Sequence, residues 1–283
     1  MPENGSYLVG APEASWLKPL TYGVPGSSGE VQVLVDFPAQ LALTLQKRTE
    51  PLRCALLSPI DYARHGGDYL IVPGASVASS GPSNTIKLFI NPSVKNIDRM
   101  AVDIRVTSEI ILAKILLAEK FPNLSSDTRK LEFLPMLANR DEMLRKADAA
   151  LVVNFHPEPQ KADDPFSLDL VDEWSDLTGL PYVHGLWVGH DEPEAEQVAQ
   201  MLLRSKELGV SHLEQIAQKL SGDHHVVLSE CRKYFGAFRY ELGEEEQESL
   251  SEFIRFAYYH GVLPDVPDLN FYEITPTPPA TVQ

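Results

Sequence analysis

Short apolar runs bounded by turn residues alternate along the chain with stretches whose apolar residues recur at helical spacing. This alternation predicts an α/β fold, in which helices cover both faces of a sheet. The predicted strands lie at 7–10, 31–36, 54–57, 69–72, 85–90, 99–103, 149–153 and 185–188. The predicted helices lie at 38–46, 107–120, 141–147, 192–208, 211–220, 225–234 and 244–260.

The composition of the chain changes near 96–99 and again near 190–196. The part between these points has the pattern of a self-contained βαβ unit, and the part after them is mostly helical. A chain that leaves one lobe, builds a second and returns places its ligand in the cleft between the lobes. The predicted units are a discontinuous first lobe at 1–98 plus 190–274, a second lobe at 99–189, and a flexible tail rich in proline and threonine at 275–283.

The charge of the chain limits its partners. The 24 basic and 40 acidic residues give a formal net charge of -16, which repels phosphate backbones and argues against a nucleic-acid partner. A helix N-terminus can still bind a small anion inside a negative protein, so a small anionic substrate remains an expected partner.

The sequence favours a cytoplasmic location. No stretch has the apolar length of a membrane helix, and the first twenty residues lack the pattern of a secretory signal, so no membrane contact is expected. Cys54 and Cys231 are too few for a disulfide framework, which fits a reducing compartment.

Hydroxyl groups are concentrated in two segments that could contact a carboxylate. The segment 72–90 carries Ser80 and Thr85 between two apolar strands, and the segment 103–117 places Thr107 and Ser108 at the start of a helix. Free backbone N–H groups at such a start bind anions without a basic side chain. A serine-rich hairpin and a plain N-cap are the structural alternatives for the two segments.

Asn154 and His156 follow a buried strand, at the position where open α/β sheets usually bind ligands. His156 is therefore an acid/base candidate, with a loop residue as the alternative. The chain has no GxGxxG, GxxxxGK[ST], GxSxG or HExxH motif, and His184 and His190 have no standard metal spacing. No metal and no cofactor are expected.

Five segments resemble a known family. They are VGAPEASWLKPLTYG (9–23), CALLSPIDYARHGGDYLIVPG (54–74), VASSGPSNTIKLF (77–89), ADAALVV (147–153) and DEWSDLTGLPYVHGLWV (172–188). Together they resemble the chorismate dehydratases of the futalosine route to menaquinone, and their sister enzymes that act on cyclic dehypoxanthine futalosine. The likeness spans 7–262 and implies the two-lobed fold of class II periplasmic binding proteins, with the ligand cleft between the lobes.

The resemblance implies a carbon–oxygen lyase that removes water from chorismate to give 3-[(1-carboxyvinyl)oxy]benzoate. Aromatisation of the ring drives this elimination, no cofactor is needed, and the enolpyruvyl carboxylate of the substrate is itself a plausible base. A monomer or homodimer is expected. The implied substrate contacts are Trp16, Lys18, Ser58, Ser80, Thr85, Thr107, Ser108 and Asn154.

Several positions depart from the family pattern. Trp16 replaces an asparagine, Lys18 replaces an arginine, Glu109 lies at the expected anion site, and Asn154-Phe155 replaces Gly-Asp. These changes favour an alternative hypothesis, a non-catalytic or differently specific protein that binds a small aromatic or carboxylate ligand. A third hypothesis is the sister enzyme, but Asn154 occupies the position of that family's histidine in this chain. Trp16 and Phe155 filling the cleft would favour the binding protein, and an open cleft lined by hydroxyls would favour the enzyme.

Overall fold

The computed structural model describes residues 7–23, 31–48, 52–65, 67–125, 127–159 and 164–274. The predicted tail at 275–283 lies outside these residues. The strands are β1 (Tyr7–Ala11), β2 (Val31–Val35), β3 (Leu52–Leu57), β4 (Leu70–Ser79), β5 (Ile86–Ile90), β6 (Arg99–Asp103), β7 (Glu132–Met136), β8 (Ala149–Val153), β9 (Ser167–Asp169), β10 (Tyr182–Gly189) and β11 (Phe238–Arg239).

The helices lie between and after these strands. They are α1 (Pro38–Lys47), α2 (Pro59–Ala63), α3 (Ser108–Glu119), α4 (Arg140–Lys146), α5 (Leu170–Thr178), α6 (Ala195–Ser211), α7 (Leu213–His224), α8 (Leu228–Gly236) and α9 (Glu244–Tyr259). A short 3-10 helix, Ser15–Leu17, follows β1. Within the described ranges no helix is long and apolar enough to span a membrane.

The described strands form two sheets. The first has the order β11-β4-β10-β3-β1-β2, and the second has the order β7-β6-β8-β5-β9. In the first sheet β1 runs parallel to β2 and β3, while β10 runs antiparallel to β3 and β4. In the second sheet β6 runs parallel to β7 and β8, and β5 runs antiparallel to β8 and β9. The prediction of an α/β fold with two lobes is confirmed, since each sheet is the core of one lobe.

The pairing of the strands corrects the predicted lobe boundaries. The prediction placed 85–90 in the first lobe and 185–188 in the second, but β5 pairs with β8 and β9, and β10 pairs with β3 and β4. The chain therefore crosses between the sheets at 80–85 and returns at 179–181. Composition changes mark surface loops, whereas sheet membership is decided by tertiary pairing, which the composition does not report.

Each predicted strand and helix has a counterpart, but five of the described strands and α-helices, and the 3-10 helix, were not predicted. The five are the strands β7, β9 and β11 and the helices α2 and α5. The three strands are short or lie at a sheet edge, so their side chains show no clean alternation. The helix α2 has only five residues, too few for a helical repeat to show.

One helix of the C-terminal region packs against both lobes. Trp174 of α5, in the second lobe, is fully buried, and its ring centroid lies 5.9 Å from those of Phe253 and Phe256 on α9. The ring of Phe253 also contacts Tyr182 on β10, in the first lobe. This apolar contact fixes one side of the molecule, so that a change of lobe angle has to open the other side.

A close approach between α6 and the loop after the 3-10 helix yields a stability prediction. A Cβ atom at Gly209 would lie 1.9 Å from the carbonyl oxygen of Pro19, whereas nothing lies within 4 Å of a Cβ atom at Gly222 on α7. We expect Gly209→Ala to lower the free energy of unfolding by about 1–3 kcal/mol through overpacking. Gly222→Ala should raise it by about 0.5–1 kcal/mol, because alanine favours a helix interior. Urea unfolding followed by circular dichroism measures both, and equal effects of the two substitutions would contradict this packing.

Candidate functional site

The ends of strands from both sheets meet at the gap between the lobes. Residues after β1 and β3 of the first sheet contact residues after β6 and β8 of the second. The gap therefore lies at the edge of both sheets where open α/β folds bind ligands.

A cluster of hydroxyl groups joins the lobes at the start of α3. The hydroxyl of Ser58, the N-cap residue of α2, donates to Oδ2 of Asp61 at 2.6 Å and lies 3.1 Å from Oγ1 of Thr107. Thr107 also donates to Asp61 at 3.0 Å, and the hydroxyl of buried Ser108 accepts from the backbone of Ile60 at 3.1 Å. Three of the predicted contact residues thus lie together, but their hydroxyls already bond within the protein.

The side chain of Glu109 occupies the anion position at this helix start. It is 8% exposed, and its Oε2 accepts from the backbone N–H of Thr107 at 3.2 Å. Burial raises the pKa of Glu109 from 4.5 to about 7, and Asp61 and Asp103 nearby add to the rise. A ligand carboxylate at the start of α3 would have to displace this side chain, so the N-terminus alone does not provide the expected anion site.

Arg105, which was not among the predicted site residues, is a cation in this gap. Its Nε and Nη2 atoms lie 2.9 Å and 2.5 Å from the two carboxylate oxygens of Asp103, whose side chain is fully buried. These hydrogen bonds raise the pKa of Arg105, so it stays charged. Its guanidinium carbon lies 4.5 Å from the ring centroid of Phe155. A guanidinium held in this way is suited to a ligand carboxylate.

Two aromatic side chains near the gap are buried, and the ring contacts of Trp16 are with residues of the first sheet. Trp16 is 4% exposed, and its ring centroid lies 5.6 Å from that of His184. Phe155 is 7% exposed, and its carbonyl oxygen accepts from the backbone N–H of Ser15 at 2.7 Å. The loops that carry Ser15 and Phe155 are thus joined across the gap by a backbone hydrogen bond.

The remaining predicted contact residues lie in different surroundings. Lys18 and Ser80 are exposed, whereas Thr85 is buried, and its hydroxyl lies 2.6 Å from that of Ser83. The backbone N–H of Asn154 donates to the carbonyl of Thr85 at 2.7 Å. The structure thus places Thr85 and Asn154 together and leaves Lys18 and Ser80 at the surface.

A cavity of about 330 Å³ lies beside the gap, between the second sheet and α8. Asn154 and His156 line it, whereas Phe155 packs against Arg105 instead. The volume suits a small ligand. Its charged lining residues are of both signs, namely Lys87, Arg140, Glu158, Asp164, Glu230 and Lys233. The cavity therefore has no marked preference for an anion.

Histidines near the gap differ in what they can do. The ring of His184 is buried, its Nε2 lies 2.5 Å from the hydroxyl of Ser79, and burial lowers its pKa to about 3, so it stays neutral. His156 is half-buried, and its Nδ1 lies 2.8 Å from Oγ of Ser15. Among the described residues, no three His, Cys, Asp or Glu side chains lie where they could hold a metal ion.

Sequence reasoning missed Ser15, Asp61, Asp103 and Arg105. The pair Asp103 and Arg105 has a readable signal, because an aspartate two residues before an arginine often accepts from both its backbone and its side chain. Asp61 also has a readable signal, since it lies three residues after the N-cap residue Ser58. Ser15 gives no such signal, because its partner His156 lies in the other lobe.

The fold has a recognisable class. The alkanesulfonate-binding protein SsuA from Xanthomonas axonopodis pv. citri, solved with bound MOPS, aligns with a TM-score of 0.60 at 14% identity over 95% of this chain and 98% of that chain. A Candida albicans gene product described as having the generic periplasmic binding protein fold aligns with a TM-score of 0.62 at 11% identity over 96% of this chain and 98% of that chain. This protein has the same periplasmic-binding-protein-like fold, as predicted.

The sequence comparisons then define the family. The family model described as menaquinone biosynthesis matches residues 9–259, so the chain belongs to the menaquinone biosynthesis family. The chorismate dehydratase of Thermus thermophilus is 25% identical over 261 residues, which are 87% of this chain and 93% of that relative. The resemblance to this family is confirmed.

The buried carboxyl group of Glu109 predicts a pH effect on stability. Its pKa is about 7 in the folded protein and 4.5 as the ordinary value, so between these values the folded chain keeps a proton that the unfolded chain loses. The free energy of unfolding therefore falls as pH rises through this range. Glu109→Gln removes this loss, and above pH 7 it should be more stable than the wild type by about 3 kcal/mol at most.

Urea unfolding of the wild type and Glu109→Gln at about pH 4.5 and about pH 8 checks this prediction. Other titrating groups affect both proteins alike, so the difference between their free energies of unfolding reports the ionisation of Glu109. Equal stability is expected at the lower pH. A difference that does not grow with pH would contradict the burial of an ionisable carboxyl group here.

Proposed function

We propose that this protein binds chorismate in the gap between its two sheets and eliminates water from it, as a step of menaquinone biosynthesis. The observation that carries the proposal is the match of the menaquinone biosynthesis family along 9–259, together with the chorismate dehydratase relative. The proposal keeps the expected cytoplasmic location and the expected product, 3-[(1-carboxyvinyl)oxy]benzoate.

In this proposal Arg105 holds a carboxylate of the substrate. Asp103 binds Arg105 through Nε and Nη2 and so fixes the plane of the guanidinium before a ligand arrives. The ring of Phe155 lies on one face of that plane. When the loops separate and Phe155 moves, that face is available to the ring of a ligand, whereas a carboxylate would bind N–H groups at the edge of the guanidinium plane.

The proposed reaction needs few catalytic groups from the protein. A C–H bond and a C–O bond of the substrate break, a ring double bond forms, and the proton and hydroxide leave as water without any change of oxidation state. The enolpyruvyl carboxylate of the substrate is the proposed base, so the site mainly orients the substrate and excludes water. The hydroxyl cluster of Ser58, Thr107 and Ser108 lies where it would face the substrate after the gap opens.

A second candidate function rests on the buried aromatic side chains at the gap and on the carboxyl group at the start of α3. Trp16 and Phe155 are buried, and the carboxyl group of Glu109 occupies the helix start. These features suit an altered-specificity protein that binds a small aromatic or carboxylate ligand without converting it. Binding of chorismate without turnover is the outcome that would select this candidate.

Incubation of the purified protein with chorismate tests the proposal. We expect loss of the diene absorbance and a product whose mass is lower by one water molecule. Arg105→Lys keeps the charge opposite Asp103 but loses the planar fork, so kcat/KM should fall about 10- to 100-fold, the cost of a charge-assisted hydrogen bond.

Arg129→Lys is the matched control. Asp127 and Arg129 form the same pair two residues apart, with an Nε to Oδ1 distance of 3.0 Å, but on the surface. This variant should keep wild-type kcat/KM. An inactive wild type contradicts the dehydratase, and equal effects of the two lysine variants contradict the role of Arg105.

A further inference from the structure

The loops after β1 and β8 close the gap through a small set of polar contacts. The backbone N–H of Ser15 donates to the carbonyl of Phe155 at 2.7 Å, and Oγ of Ser15 lies 2.8 Å from Nδ1 of His156. The hydroxyl of Tyr234 on α8 donates to the same carbonyl at 2.9 Å. The ring of His224, at the end of α7, stacks on that of His156 with a centroid distance of 4.7 Å.

This side of the gap differs from the side that α9 covers. There Trp174 is fully buried among aromatic rings, and its separation would expose a large apolar area. Here Phe155 is buried, but His156 is half-buried and His224 is exposed, so separation on this side exposes less apolar area than separation of Trp174 from α9 would. The contacts of Ser15 are therefore the ones that open when the lobes move.

We propose that Ser15, Phe155, His156 and His224 form a latch that holds the gap closed while His156 is neutral, and that protonation of His156 releases it. The bond between Ser15 and His156 survives in either charge state, since the hydroxyl can donate or accept. Release comes instead from the charge, which would lie half-buried against a second imidazole. The latch does not depend on the identity of the ligand.

The charges around His156 decide the sign of the effect. Burial lowers the pKa of His156, and His224, Arg105 and Lys18 lower it further, while Glu13 raises it. The cavity side adds Glu158, Glu230 and Lys233.

In the open state the ring of His156 is hydrated and its pKa returns toward the ordinary value of 6.5. The closed state is therefore favoured above that value and loses stability relative to the open state as pH falls. Acid pH should open the gap and weaken the binding of any ligand held inside it.

Hydrogen exchange at the Ser15 amide tests the latch directly, because this N–H bonds across the gap. The measurement uses the full chain at about pH 7.5 and about pH 5.5, with rates expressed as protection factors to remove the intrinsic pH dependence. We expect Ser15 protection to fall severalfold on acidification. The amide of Ile71, which donates to Asn270 within the first lobe, should keep its protection.

Three variants test whether protonation of His156, and not of another group, causes the fall in protection. His156→Gln keeps a polar side chain without the charge, so its Ser15 protection should be the same at both pH values. His225→Asn is the control. His225 is exposed, follows His224 and has a left-handed backbone that asparagine also adopts, so this variant should behave as the wild type. Glu109 titrates in the same interval, so the acid-induced fall must persist in Glu109→Gln.

Unchanged Ser15 protection between the two pH values in the wild type, or an equal fall in His156→Gln, would overturn the latch. If His156→Gln does not fold, Ser15→Ala decides the question, because it keeps the amide and removes the hydroxyl. In Ser15→Ala the backbone amide of residue 15 should be less protected at neutral pH than in the wild type, and equal protection would overturn the proposal.

Discussion

The chain crosses between its two sheets twice, at 80–85 and at 179–181, and this constraint decides where each candidate group lies. Because both crossings lie at the same gap, the ends of β1 and β3 come to face the ends of β6 and β8. Polar groups that are far apart in sequence, such as Ser58 and Thr107, then lie within hydrogen-bond distance. A ligand held in such a gap contacts both lobes, which is how two-lobed binding proteins couple binding to closure.

The charged and polar groups in the gap are paired in a way that affects where an anion could bind. The carboxyl group of Glu109 takes the backbone N–H that a ligand anion would use, and Asp61 accepts from the hydroxyls of Ser58 and Thr107. Positive charge comes instead from Arg105, which Asp103 holds in place. In the proposed chorismate-binding role, the side chain of Arg105 would therefore hold the carboxylate in place of the helix end.

Much of the fold could be predicted from the sequence, for a physical reason. Strands such as 31–36 and helices such as 244–260 are governed by local periodicity, and both have counterparts in the structure. The lobe boundaries could not be predicted, because β5 and β10 join sheets that are decided by distant partners. The same holds for the site: Thr107 and Ser108 are visible as a helix start, but the contact of Ser15 with His156 exists only after folding.

The central claim is that the gap between the lobes binds a carboxylate ligand through Arg105. A crystal structure of the protein with 3-[(1-carboxyvinyl)oxy]benzoate would test this claim most directly. The account predicts the ligand between the two sheets, with a carboxylate on the guanidinium of Arg105 and the ring of Phe155 displaced. A ligand bound only outside the gap, with Phe155 still against Arg105, would contradict it.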